Sequence, residues 1–371
     1  MLGGPLTVSS ATQDGGIIAE FEMVSSSIDE LLLDDNGTRS FISLCQSERK
    51  ITVAAIDDLL TTQPYEQILC LMKPEFDFGR EQFALVMATA LNPDEYGLPN
   101  ELSGCQWLVD HIRQAKGMCN RLEIYLNRVR DEWCPTTIIT ATKRYLPTHA
   151  KIGQQRASLL IFLPDCRGFQ EVILVDPIFT MALTIAGFQS LLAHELHHSI
   201  RCSLEPKDQP TQERFRGIAQ VLFWLESEGI ADSVSSLSDL PCESADSLMA
   251  NIVERRKAIY PKADEYLRLL DSAMADILNG SVPDDQAYFH VVSVLSSDNA
   301  YHPVGHVMAK RIEQQLGHNM LVDTIGKPYR FLLGYQQAAK QIGNPESVYI
   351  FNDEVVNALG QIQWRQSEHR A

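Results

Sequence analysis

The chain has 371 residues, 45% hydrophobic and 21% charged, an ordinary folded composition long enough for one large domain or two smaller ones. Its 48 acidic and 31 basic residues give a net charge of −17, which argues against nucleic acid or an anionic membrane surface as a partner. A core of this size needs no disulfide or structural metal to hold it, so any metal site is expected to serve chemistry. The eight cysteines are scattered without a CxxC pair, the pattern of reduced thiols in a cytosolic protein rather than of a disulfide framework or zinc finger. The N-terminus lacks a basic and apolar signal, and no apolar run approaches the ~18 residues of a membrane span. A cytoplasmic protein is expected, with export by a signal-independent route left open.

Along the chain, residues 1–16 are rich in Gly, Ser and Thr and read as a frayed tail. From about Ile17 to Arg130 the pattern is helical, with apolar residues at helical spacing in 51–60, 82–91 and 102–129. Breaks are expected at Pro64, Lys73-Pro74 and Asn92-Pro93. After Pro135 the texture changes: 136–142, 158–163 and 171–175 read as short strands, the last two separated by a turn at 164–168. Two helices follow, one ending near Ile200 and one from about Gln212 to Ser236, and the remainder is helical with breaks at prolines 261, 283, 303, 328 and 345. The one basic run, Glu254-Arg255-Arg256-Lys257, reads as a solvated helix face. Helices, then a few strands, then helices make the expected fold α+β and mostly helical, with a helical N-terminal region over 1–135 and a catalytic region over 136–371.

The segment Leu191-Leu192-Ala193-His194-Glu195-Leu196-His197-His198 contains H-E-x-x-H. On a helix, His194 and His198 share a face and can aim ring nitrogens at one ion, while Glu195 reaches a water beside that ion. Zinc would bring the pKa of such a water toward about 7, and Glu195 would take its proton as general base during attack on a carbonyl. A catalytic zinc needs a third protein ligand. Glu228 is the first candidate, because Asp232 lies four residues on, sharing its face, and can orient a ligand histidine; Glu226 is the alternative. Gly229 and Ala231 are small enough to let their helix approach the motif helix closely. His197 is expected to support the structure rather than bind the ion.

H-E-x-x-H followed by E-x-x-x-D on the next helix resembles the gluzincin class of zinc metallopeptidases, to which thermolysin belongs. The wording His-Glu-Leu-His-His, then Glu-Gly-Ile-Ala-Asp, resembles a bacterial family described as zinc-dependent peptidases, and Tyr301 to Ala309 is similar to that family's Pro-x-Gly-x-x-Met-Ala stretch. The likeness spans about residues 135–340. It implies a zincin-like fold, with a small sheet over the motif helix and a peptide or protein substrate lying antiparallel along an edge strand. It also implies one zinc per chain on His194, His198 and Glu228, Glu195 as base, and Asp232 orienting a ligand. Thermolysin-like enzymes use a Tyr or His to stabilise the oxyanion, for which Tyr301 and His302 are the first candidates and His306, which also reads as core-facing, a third. The 30 residues from His198 to Glu228 exceed the thermolysin spacing by about ten, so the cleft shape is not carried over. Hydrolysis of a non-peptide amide or ester, and a non-catalytic binding role, stand as alternatives. A di-iron centre would want a second E-x-x-H, which the chain lacks.

Overall fold

The computed structural model describes residues 29–47, 51–76, 79–204, 209–243, 247–343, 348–362 and 364–365; the expected tail over 1–16 lies outside them. Strand β1 (Glu30–Asp34) opens the described chain, and seven helices follow: α1 (Asn36–Gln46), α2 (Val53–Leu60), α3 (Gln63–Phe76), α4 (Arg80–Leu91), α5 (Gln106–Gly117), α6 (Cys119–Asp131) and α7 (Pro135–Arg144). Then come β2 (Gln154–Leu159), β3 (Cys166–Gly168), β4 (Val172–Val175), α8 (Pro177–Thr180) and α9 (Ile185–Leu204). The pair β5 (Gln209–Pro210) and β6 (Trp364–Arg365) brackets the remaining helices. These are α10 (Arg216–Val234), α11 (Leu248–Ile259), α12 (Ala263–Leu278), α13 (Asp284–Ser296), α14 (Tyr301–Leu316), α15 (His318–Val322), α16 (Pro328–Ile342) and α17 (Asp353–Leu359). The fold is α+β and mostly helical, and none of the described helices is long and apolar enough to cross a membrane.

The main sheet has the order β1-β2-β4-β3. β1 and β4 both run parallel to β2, while the short β3 turns back antiparallel on β4 and forms an edge. A parallel pair needs a long crossover, and α1 to α7 supply it between β1 and β2. β4, Val-Ile-Leu-Val, is buried at every position, as a strand covered on both faces must be. Asp176, just after β4, is fully buried; it accepts from the Phe162 and Ile178 amides and lies 2.8 Å from the His111 ring, so it ties the sheet end to α5 and the start of α8.

Four local readings of the sequence are corrected. Residues 136–142 form helix α7, not a strand: Pro135 starts the helix, Ile138 and Thr142 sit four apart on its buried face, and the Thr142 hydroxyl bonds to the Ile138 and Ala193 carbonyls. Within the stretch read as helical, Glu30–Asp34 is a strand, because β2 offers it a parallel partner more than a hundred residues away. The turn expected at 164–168 carries β3. The break expected at Lys73-Pro74 does not occur either, since α3 runs through it.

Two hydrophobic cores organise the helices. The first unites the sheet with α1 to α6 and the Leu191, Leu192, Leu196 and Ile200 side of α9. The second is all-helical and gathers α10, α12, α13, α14, α16 and α17. Within the second, α10 and α14 cross at a glycine pair: a Cβ on Gly229 would lie 2.4 Å from the Gly305 carbonyl oxygen, and one on Gly305 would lie 2.4 Å from that of Leu225. Gly229 therefore serves an approach to α14, not the expected approach to the motif helix. The H-E-x-x-H helix belongs to the first core and the Glu228 helix to the second, so the site lies where the two cores meet.

Candidate metal centre

Helix geometry brings the donors together. His194 and His198, four apart on α9, turn their Nε2 atoms to within 3.1 Å of each other. From α10, Glu228 places Oε2 3.1 Å from His198 Nε2 and 3.4 Å from His194 Nε2. A tetrahedral ion with bonds of about 2.0–2.2 Å holds its ligand atoms roughly 3.3–3.6 Å apart. One separation falls in that range and the other two lie about 0.2 Å inside it, and two imidazoles with one carboxylate form a donor set suited to zinc, so the residues fit the ion.

Around these three, further groups fix orientation. Asp232 Oδ1 lies 3.3 Å from His194 Nδ1, and the Ser227 hydroxyl lies 3.1 Å from His198 Nδ1, so each histidine is addressed from behind. Nothing in the sequence singles out Ser227, since a serine next to Glu228 carries no signal until the helix pairing is known. His302, one turn before Gly305 on α14, sets Nδ1 3.1 Å from Glu228 Oε2 and 3.9 Å from Asp232 Oδ2. With His194 and Asp232 it makes a second convergent group of possible ligands. Tyr301 lies beside it, its ring stacked 5.2 Å from Trp224 and its hydroxyl donating to Asn299 at 3.4 Å.

Glu195 is buried, and its Oε2 accepts from the Gly168 amide of edge strand β3 at 2.8 Å. Only glycine fits there, because a Cβ would lie 2.1 Å from the Glu195 carbonyl oxygen. Burial raises the Glu195 carboxyl above the usual range, offset in part by His194 and His198. Burial works against the charged form of His194 too, but Asp232 and Glu228 outweigh it and bring the imidazole to about 10 in the protein alone. For Asp232 the same contest with burial ends at about 2, His194 being the main counterweight, and Glu228 falls well below the carboxylate range beside His198 and His302. Burial pulls His302 down to about 3.

Glu226, the alternative ligand, points elsewhere. It is fully buried in an ion pair with Arg201 of α9, and its Oε1 also accepts from the Gly326 amide at 3.1 Å. His197 is fully buried as well; its Nε2 donates to the Tyr145 carbonyl at 3.2 Å, and burial holds the ring well below its usual pKa. The structure thus gathers His194, Glu195, His198, Glu228, Asp232 and His302, sets Tyr301 at the margin, and turns Glu226 and His197 away.

These groups open on a cleft of about 1020 Å³, lined also by β3, by the end of α11 and by the start of α14. Arg255 and Arg256 line it, whereas the run containing them read as a solvated helix face. Periodicity cannot tell a helix face turned to a cleft from one turned to bulk water.

A mostly helical α+β protein with a two-histidine, one-carboxylate donor set beside a buried glutamate is the class that fold and site define. A family model described as "Putative zinc dependent peptidase (DUF5700)" matches residues 56–344, and the chain belongs to that family. No curated protein and no solved structure was found to match.

Proposed function

We propose that the protein is a zinc metallopeptidase of gluzincin type, with one zinc on His194, His198 and Glu228 in a zincin-like catalytic region. The observation that carries this reading is the convergence of three donor atoms at 3.1–3.4 Å with Glu195 held beside them by the Gly168 amide. When bound, zinc supplies a Lewis acid that polarises a carbonyl and makes water acidic enough to attack it.

The chain's own residues do the rest. Glu195 takes the proton of the attacking water on its free carboxylate oxygen and passes it to the leaving amine, and its burial suits a group that must hold and then release a proton. Gly168 fixes the carboxylate through the other oxygen. Asp232 and Ser227 set the tautomers of His194 and His198. His302 steadies Glu228 and, with Tyr301 at the cleft margin, is the candidate to meet the oxyanion. The outer edge of β3 is the place for an extended peptide, since β4 occupies only its other side.

Zinc content by mass spectrometry, together with cleavage of a pooled peptide library by the wild type and Glu195→Gln, tests this reading. One zinc in both proteins is expected, with turnover falling about 10²- to 10⁴-fold in the variant. A folded, zinc-replete protein without stoichiometric zinc would sink it. Zinc without any peptide cleavage would shift the substrate to a non-peptide amide or ester, or the role to binding.

A further inference from the structure

The charges around the cleft are not evenly satisfied. Its acidic groups are all engaged: Asp165 pairs with Arg167 at 2.5 Å, Asp298 accepts from the Tyr266 hydroxyl at 2.6 Å, and Glu195 and Glu228 belong to the centre. The lining contributed by α11 carries Arg255 and Arg256 near the helix end, with Lys262 just beyond it. None of the three has a carboxylate partner among the described residues, although the chain as a whole is strongly acidic.

Arg256 is the least expected. Its side chain is half-buried, and its Nη1 is wholly buried with no hydrogen-bond partner among the described residues. That nitrogen faces protein, and the guanidinium's other N–H groups, which no described residue accepts from, are the ones a group in the cleft can reach. The favourable field at a helix C-terminus accounts for a cation in this turn, and neighbouring Lys257 satisfies itself at the surface with Glu254. That field does not account for burying the tip of Arg256 beside the cleft. The arginine lines the same cleft as the centre, and its charge is felt at Asp232, Tyr301 and His302.

The geometry points to a specificity function for this wall: Arg256, with Arg255 and Lys262 toward the outside, binds a carboxylate of the substrate, so that the cleft selects acidic peptides. The inference rests on the peptidase reading above and adds the substrate class to it. A guanidinium donates two N–H groups to one carboxylate in a two-pronged bond, which fixes the direction as well as the position of the peptide. That carboxylate is either an Asp or Glu side chain or the free C-terminus, and the two sources imply internal or terminal cleavage.

Four synthetic peptides of one length separate the sources: acidic or neutral side chains, each with a free or an amidated C-terminus. Cleavage is followed with wild type, Arg256→Gln and Arg256→Lys, and binding of the same peptides is measured on zinc-loaded Glu195→Gln with and without Arg256→Gln. Zinc content and melting temperature are checked for every variant. Preference for one carboxylate source is expected in the wild type. Arg256→Gln should raise KM for the preferred peptide by about ten- to a hundredfold with little change in kcat, from the loss of a charged hydrogen bond. Arg256→Lys should restore part of it. Equal cleavage of all four peptides, or a preference that survives Arg256→Gln in a folded, zinc-loaded variant, overturns the inference and leaves the peptidase standing. If no peptide is cleaved, the peptidase reading fails; Arg256-dependent binding of the acidic peptides would then uphold the recognition alone, and no such binding would end both.

Discussion

The two cores bring different things to the centre. The first presents α9, on which His194, Glu195 and His198 stand within five consecutive residues, and backs it with β3, whose Gly168 amide grips Glu195. The second presents α10 and α14, whose Glu228, Asp232 and His302 come from positions up to 74 residues apart and meet only because Gly229 and Gly305 let the helices touch. One side is local and rigid by covalent spacing; the other is assembled by packing. The arrangement on α9 is thus set largely by local spacing, while that of Glu228, Asp232 and His302 depends on the crossing of two distant helices.

This contrast can be broken first at the buried tie between the cores. Arg201 of α9 and Glu226 of α10 are both buried, and removing one leaves the other charge without its partner. Arg201→Met should cost about 3–5 kcal/mol, while the double change with Glu226→Leu should recover most of it. Denaturant unfolding of both variants measures this, and equal stability for single and double variants would show that the pair does not bind the cores together.

Removing zinc comes next. An ion held by α9 and α10 together stabilises the folded chain by about 2.7 kcal/mol at free zinc a hundredfold above Kd. Calorimetry with and without a chelator should show a lower melting temperature in the stripped protein. An unchanged transition would mean that the donors do not hold an ion across the junction.

Asp232→Asn sharpens the comparison within the second core. Asp232 faces His194 across the junction at 3.3 Å, and weakening that support should lower zinc affinity about 10- to 100-fold without unfolding the chain. Competition with a fluorescent chelator reads the affinity directly, and a wild-type value would remove Asp232 from the centre. A comparable effect is expected at the helix crossing. Gly229→Ala places a methyl 2.4 Å from the Gly305 carbonyl oxygen and should destabilise by about 1–3 kcal/mol, with a loss of zinc affinity as Glu228 and His302 shift. Ala at Gly104, where an added Cβ meets nothing, is the control.

Much of the centre was legible because helical spacing is a local rule. The i, i+4 relation ties His194 to His198 and Glu228 to Asp232 whatever the rest of the chain does, and short-range chemistry likewise announced most of the helices. The strand reading of 136–142 failed for a related reason: β-branched composition is a weak preference, and packing against α9 outweighed it. β1 was illegible because its identity as a strand lies in a partner beginning 124 residues away, at Gln154.

The sequence by itself singled out the His194-Glu195-x-x-His198 face and the Glu228–Asp232 pair as candidates, because helical spacing needs no other part of the chain. Only the tertiary structure decided that Glu228 rather than Glu226 faces the histidines, that Gly168 grips the base, that His302 joins the cluster, and that Arg256 lines the cleft. Each of those depends on the rotation and closeness of elements far apart in the chain. Side-chain direction about a helix is settled by what the helix packs against, and no local pattern encodes that.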